Sequence, residues 1–223
     1  MSFPRPILGV VFDMDGLLVD TEAVFRDAMM DEARAVGREL PFEVFRQMIG
    51  LPGAESDAVS RAHFGDEFDL EIYNAGVTTR ARAALEAGVE LKAGVLEILD
   101  LLDERHLPRA IATSSSHGSV LRHLGPSQVL HRFGAVIAQG DYTRGKPHPD
   151  PFLQAALAIG IAPGDCLALE DSHNGVRAAH AAGMMTVMVP DLLDATHEMR
   201  ALCLHVAQSL HHVRYLITAT DPP

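Results

Sequence analysis

The chain is predicted to be an α/β protein, with a doubly wound, Rossmann-like parallel sheet interrupted near its start by an all-helical insertion. Three observations predict this. The apolar run Ile7-Leu8-Gly9-Val10-Val11-Phe12 reads as a buried strand and ends abruptly in Asp13-Met14-Asp15-Gly16. After residue 90, short apolar runs alternate with amphipathic stretches, the pattern of a parallel sheet covered on both faces. Between residues 20 and 90 only helical spacing appears.

The elements follow in order. Glu22 to Val36 carries Phe25, Ala28, Met29, Ala33 and Val36 at helical spacing, and Gly37 ends it. Pro41 opens a second helix with Phe42, Phe45 and Ile49 inward. Further helices are expected from Glu55 to His63 and from Leu70 to Ala87. Then come a helix Val95 to Arg105, a strand Arg109 to Ala112, a helix Ser116 to Leu124 stopped by Gly125, and a strand Ala135 to Ala138. A helix from Pro151 to Ile159 has proline at its start and Gly160 past its end. Cys166 to Leu169 is a strand, Asn174 to Ala182 a helix closed by Gly183, and Thr186 to Val189 a strand. Residues 1–19 and 91–223 thus form the expected core. Residues 20–90 form a helical cap, inserted over the sheet edge where such folds bind ligands, and so a candidate mobile lid.

Composition narrows the function classes. The chain has 223 residues, 48% of them apolar, enough for a sizeable core. Its formal net charge of −12 argues against nucleic acid and anionic membranes as partners. Only two cysteines are present, Cys166 and Cys203, which suits a reducing cytoplasm. No apolar stretch reaches the roughly 18 residues of a membrane span. A monomer or weak dimer is the expected state.

The chemistry lies at the strand ends. Asp13 and Asp15 stand one residue apart at the end of an apolar strand, where carboxylates need a compensating cation. Thr113-Ser114-Ser115-Ser116 offers hydroxyls and free N–H groups for a phosphate, although taken alone it reads as an ordinary helix cap. Lys146, within Gly145-Lys146-Pro147-His148-Pro149, would by itself be a solvated loop lysine. Glu170-Asp171 suits a hard cation such as Mg²⁺, or alone an acidic helix start. Taken together, these ends fall on one edge of a doubly wound sheet. Asp13, Asp15, Thr113, Lys146, Glu170 and Asp171 would then share a single cleft.

On these residues the chain resembles the haloacid dehalogenase superfamily, in its helical-cap sugar-phosphatase and β-phosphoglucomutase-like branch. The resemblance rests on Asp13-Met14-Asp15-Gly16 through Glu22, on Ala112-Thr113-Ser114-Ser115, on Lys146 through Phe152, and on Leu169-Glu170-Asp171-Ser172 through Met184. It implies that Asp13 attacks phosphorus and becomes an aspartyl-phosphate, with Asp15 as acid and base. It implies Mg²⁺ on Asp13, the Asp15 carbonyl, Asp171 and Glu170 (directly or through water). It implies phosphate binding by Thr113, Ser114 and Lys146, and a small phosphorylated metabolite as the partner.

The resemblance covers both phosphatases and phosphohexomutases. β-Phosphoglucomutases usually carry a histidine where this chain has Phe25, and basic residues in the cap loop. Here Phe25 reads as core packing, and Gln47 through Glu55 contains no Lys or Arg. Both departures favour a phosphatase, with Arg46, Arg61, Arg80 and Arg82 as the remaining candidates for a second phosphate. Gly50-Leu51-Pro52-Gly53 is the expected substrate-facing turn of the cap. His173 is a minor candidate beside the acidic pair, His117 a minor one beside the phosphate cradle. Gly175 reads as a helix–strand packing residue.

Overall fold

The computed structural model describes residues 3–49 and 53–219. In chain order the elements are β1 (Gly9–Phe12), α1 (Thr21–Ala35), α2 (Phe42–Phe45), α3 (Gly53–Phe64), α4 (Leu70–Ala87), α5 (Val95–Glu104), β2 (Arg109–Ser116) and α6 (His117–Leu124). They continue with β3 (Ala135–Gln139), α7 (Asp150–Ala158), β4 (Cys166–Glu170), α8 (His173–Ala181), β5 (Met185–Met188), α9 (His197–Leu202), β6 (His205–Val206) and α10 (Leu210–Thr218). The chain divides into two compact units, Met1–Val19 with Glu90–Pro223, and Asp20–Val89.

The first unit is a six-stranded sheet in the order β3-β2-β1-β4-β5-β6, parallel at every junction. Connections from β1 run outward to β2 on one side and, later in the chain, to β4 on the other. The topological switch point therefore lies between β1 and β4, where the helices change faces and a crevice opens at the carboxyl ends of the strands. Alternation along the strands sends Val11, Ala110, Ala112 and Ala168 to one face. There they pack against Phe152, Ala155 and Ala156 of α7 and Ala178 and Ala179 of α8. Small side chains on both partners let these helices lie close to the sheet. Phe12 points to the opposite face and meets Phe133 edge to face, ring centroids 5.7 Å apart.

The second unit is helical among its described residues. α1 packs along α4. The Tyr73 hydroxyl donates to the Met29 carbonyl at 2.9 Å, and Arg80 pairs with Glu32 at 2.6 Å. Phe64, Phe68 and Tyr73 form an aromatic cluster. Arg82 pairs with Glu86 and Arg46 with Glu43. The Gly50-Leu51-Pro52 portion of the expected substrate-facing turn lies outside the described residues.

Three expectations are corrected. Phe25 is 43% exposed rather than core; the Tyr73 and Arg80 contacts of α4 fall on Met29 and Glu32, further along α1. Phe42 is also exposed, because α2 is a single turn and buries only Phe45. The strand predicted over Arg109–Ala112 runs on to Ser116, since pairing with β3 resumes after a register shift, with Ser116 opposite Gln139. Beyond Val189 the sequence predicts no further element. The structure adds α9, the short β6 and α10, whose buried Leu210, Val213, Leu216 and Ile217 pack it against α5.

Candidate active site

The described residues that come together here belong to the first unit. β1 and β4 pair in register, with Phe12 opposite Leu169, so the next residues of each strand emerge side by side. The Asp13 N–H donates to the Leu169 carbonyl at 3.0 Å, which ties the two strand ends together. Asp13, Glu170 and Asp171 thereby present carboxylate oxygens that all lie within 4.8 Å of one another. Asp13 is buried and Glu170 wholly so.

Lys146 enters this acidic cluster with its side chain buried, its Nζ 2.5 Å from Asp13 Oδ1 and 2.5 Å from Glu170 Oε1. Its stem is backed by Phe152, the ammonium 5.1 Å from the ring centroid. Glu170 Oε2 accepts from the Ser172 N–H at 2.9 Å and from the Ser172 hydroxyl at 3.0 Å. Both oxygens of Glu170 are therefore engaged, one by the lysine and one by the residue that caps α8. Two glycines clear the space. At Gly16, whose φ is +80°, a Cβ would stand 2.3 Å from Asp171 Oδ2. At Gly175 a Cβ would stand 1.7 Å from Glu170 Oε1. Gly175 thus makes room for a site carboxylate, a more specific task than the helix–strand packing read from sequence.

Charge in the cluster does not balance: three carboxylates face one ammonium. Burial pushes the Asp13 carboxyl up to about 7 against the pull of Lys146, with Glu170 and Asp15 adding to the rise. Burial, then Glu170 and Asp13, raise the Asp171 carboxyl well above the usual range. Lys146 keeps its proton firmly. Burial opposes its charge, but the Asp13 and Glu170 carboxylates outweigh that. Asp171 Oδ1 is buried with no hydrogen-bond partner, as is Asp191 Oδ2 nearby. An orphaned carboxylate oxygen, excess negative charge and an all-oxygen donor set fit a hard divalent cation.

Asp15 turns to a second group. Its Oδ2 accepts from Ser115 Oγ at 2.7 Å, with Thr113 Oγ1 at 3.4 Å. Thr113 is buried and its Oγ1 also accepts from the Ser115 N–H. The Ser114 side chain is exposed. The structure therefore brings together Asp13, Lys146, Glu170 and Asp171, and sets Asp15 with Thr113 beside them. His117 pairs instead with Asp141 at 2.8 Å, and His173 reaches the Asp194 carbonyl at 3.0 Å.

Residues 10–189 match the haloacid dehalogenase-like hydrolases. The chain belongs to this family. A Drosophila melanogaster protein named "probable pseudouridine-5'-phosphatase" is 34% identical over 196 residues, 84% of this chain and 83% of its own length. Hexitol phosphatase B of Escherichia coli K12 is 31% identical over 195 residues, covering 85% of this chain and 86% of its own. A solved family hydrolase from Deinococcus radiodurans R1, with bound phosphate and sodium, matches with a TM-score of 0.84 at 27% identity and covers 96% of each chain.

In this family member, sequence reasoning did not find five residues of the site. Ser115 and His123 face Asp15, Tyr142 donates to the Thr113 carbonyl at 3.1 Å, and Lys92 pairs with Asp191 at 2.5 Å beside Gly16. Ser115 lay inside a motif already singled out. The other four carry no local signal, because tertiary packing alone brings them near.

Proposed function

We propose that this protein is a Mg²⁺-dependent phosphatase of small phosphomonoesters, of the sugar-phosphate class, and that it works through an aspartyl-phosphate on Asp13. One observation carries the reading: a buried carboxylate at the switch point, Asp13, held by Lys146 within a cluster of carboxylates that lacks one cation. The named phosphatases among its relatives support the reaction, and their polyol and nucleoside phosphates support the substrate class.

Asp13 must be ionised to attack. Among the described residues Lys146 is the one cation that acts on Asp13, and its carboxyl stays near 7, so a second cation is required for full charge at neutral pH. Asp13, Asp171 and the Asp15 backbone carbonyl would hold Mg²⁺, with Glu170 adjacent. Bound there, the ion would offset negative charge on Asp13 and on the transferring phosphoryl oxygens. Glu170 anchors Lys146 so that its ammonium faces both Asp13 and the incoming phosphate.

A carboxylate oxygen of Asp13 forms a bond to phosphorus while the bond from phosphorus to the ester oxygen breaks. Asp15 delivers its proton to the departing alkoxide. In the second half, a water attacks phosphorus and gives its proton to Asp15. Phosphate leaves and Asp13 is restored. Thr113, the Ser114 N–H and Lys146 hold the phosphoryl oxygens through both halves.

The test is free-phosphate release with Mg²⁺ across sugar, polyol, nucleotide and glycolate phosphates, with Asp13→Asn beside the native chain. Steady release from a subset, lowered by more than about 10³-fold in Asp13→Asn, is expected. Conversion of a hexose 1-phosphate to its 6-isomer without free phosphate would make the chain a mutase. Undiminished release by Asp13→Asn would sink the covalent route.

A further inference from the structure

His123 lies in the last turn of α6, 5% exposed, with its Nδ1 lacking any hydrogen-bond partner. Val120 and Leu124 of the same helix are buried apolar side chains, so packing alone does not call for an imidazole here. A buried ring nitrogen is costly to leave unpaired. In front of Nδ1, at 3.6 Å, stands Asp15 Oδ1. The other oxygen, Oδ2, is already taken by Ser115 at 2.7 Å. The Asp15 carboxyl is thus flanked at both oxygens by groups from β2 and α6. The 3.6 Å approach is longer than a hydrogen bond. Contacts of this kind often tighten only when substrate is bound, and a small rotation of the carboxyl closes this one.

We propose that His123 is a positioning residue for Asp15. In its Nδ1–H tautomer it donates to Oδ1 and, with the Ser115 hydroxyl at Oδ2, fixes the orientation from which Asp15 transfers its proton. It touches neither substrate nor the moving proton. As the ester bond breaks, the proton goes from Asp15 to the alkoxide oxygen, and both donors remain in place for the carboxylate that is left. This rests on the reading of Asp15 as the acid.

Leaving groups separate this role from a structural one. A sugar or polyol phosphate expels an alkoxide and needs the proton. 4-Nitrophenyl phosphate expels a phenolate that departs as the anion. The measured quantity is kcat/KM, which reports only steps up to loss of the leaving group, taken as the ratio of the two substrates on one preparation. That ratio is independent of the folded fraction. His123→Leu, which keeps apolar volume and removes the donor, is expected to lose about tenfold on the alkyl phosphate and less than about twofold on the aryl one. His123→Asn, which restores an N–H near the Nδ1 position, is expected to recover most of the loss. Equal effects on both substrates, or none on either, would overturn the proposal. Asp15→Asn distinguishes its failure from that of the underlying reading. A leaving-group-selective loss in Asp15→Asn without one in His123→Leu removes His123 alone. No selectivity in Asp15→Asn removes the acid itself, and His123 with it.

Discussion

A lysine placed between two carboxylates, its side chain only 6% exposed, is a tight constraint on this molecule. Lys146 satisfies Asp13 and Glu170 together, and its stem rests on Phe152. Replacing it by methionine keeps most of the stem and removes the charge, so two buried carboxylates face each other without a cation. The expected cost in metal-free protein is about 3–5 kcal/mol of unfolding free energy, measured by urea denaturation. Lys146 was legible in sequence only in company, since its own segment reads as a surface loop. Gly175 shows the reverse limit. Its need for space was legible, but the carboxylate that fills the space was not, because a missing Cβ says nothing about which neighbour approaches.

Among the elements, the paired ends of β1 and β4 set how stability depends on pH. The Asp13 carboxyl moves from its ordinary 3.8 up to about 7 on folding, through burial above all. Between those values the folded state holds a proton that the unfolded state has released. Stability of metal-free protein therefore falls as pH rises through that window. A cation that binds the deprotonated cluster acts in the opposite sense. Thermal unfolding in chelator is expected to move to lower temperature from about pH 5 to about pH 8, and MgCl₂ to raise it strongly at the upper pH and little at the lower. Asp13→Asn should make the chelator curve shallower, the remaining slope coming from Asp171, whose carboxyl burial also raises. An unchanged slope in that variant would show that Asp13 is not the group responsible. The strands themselves were readable from the apolar runs, whereas β6, two residues long, is too short for any periodicity to announce it.

For the whole molecule, the insertion begins and ends at a single point of the α/β unit. Val19 and Leu91 form an antiparallel bridge, so the two ends of the excised segment would already be neighbours. The sheet and its helices have their own core on both faces. Replacing residues 20–89 by a short Gly/Ser linker is therefore expected to leave a cooperatively folding α/β unit, seen as retained strand and helix signals in circular dichroism and a single unfolding transition. Loss of the unfolding transition would mean that the two units fold only together.

By itself the sequence determined the alternation of strands and helices and the helical insertion, and it singled out Asp13, Asp15, Thr113, Lys146, Glu170 and Asp171 as candidates for one cleft. Asp13, Asp15, Thr113, Glu170 and Asp171 stand at the ends of apolar runs and Lys146 in the loop that follows another, and in a parallel α/β sheet all such ends share one edge. Tertiary structure decided which of them touch. Lys146 bridges Asp13 and Glu170, Ser172 takes the remaining oxygen of Glu170, and Asp171 is left with an unpaired oxygen. It also brought His123, Tyr142, Lys92 and Asp191 to the site from segments whose local patterns are those of ordinary helices and loops. The physical reason is range. Periodicity and strand ends are properties of a few neighbouring residues, but the partner of a buried charge is set by how distant segments pack.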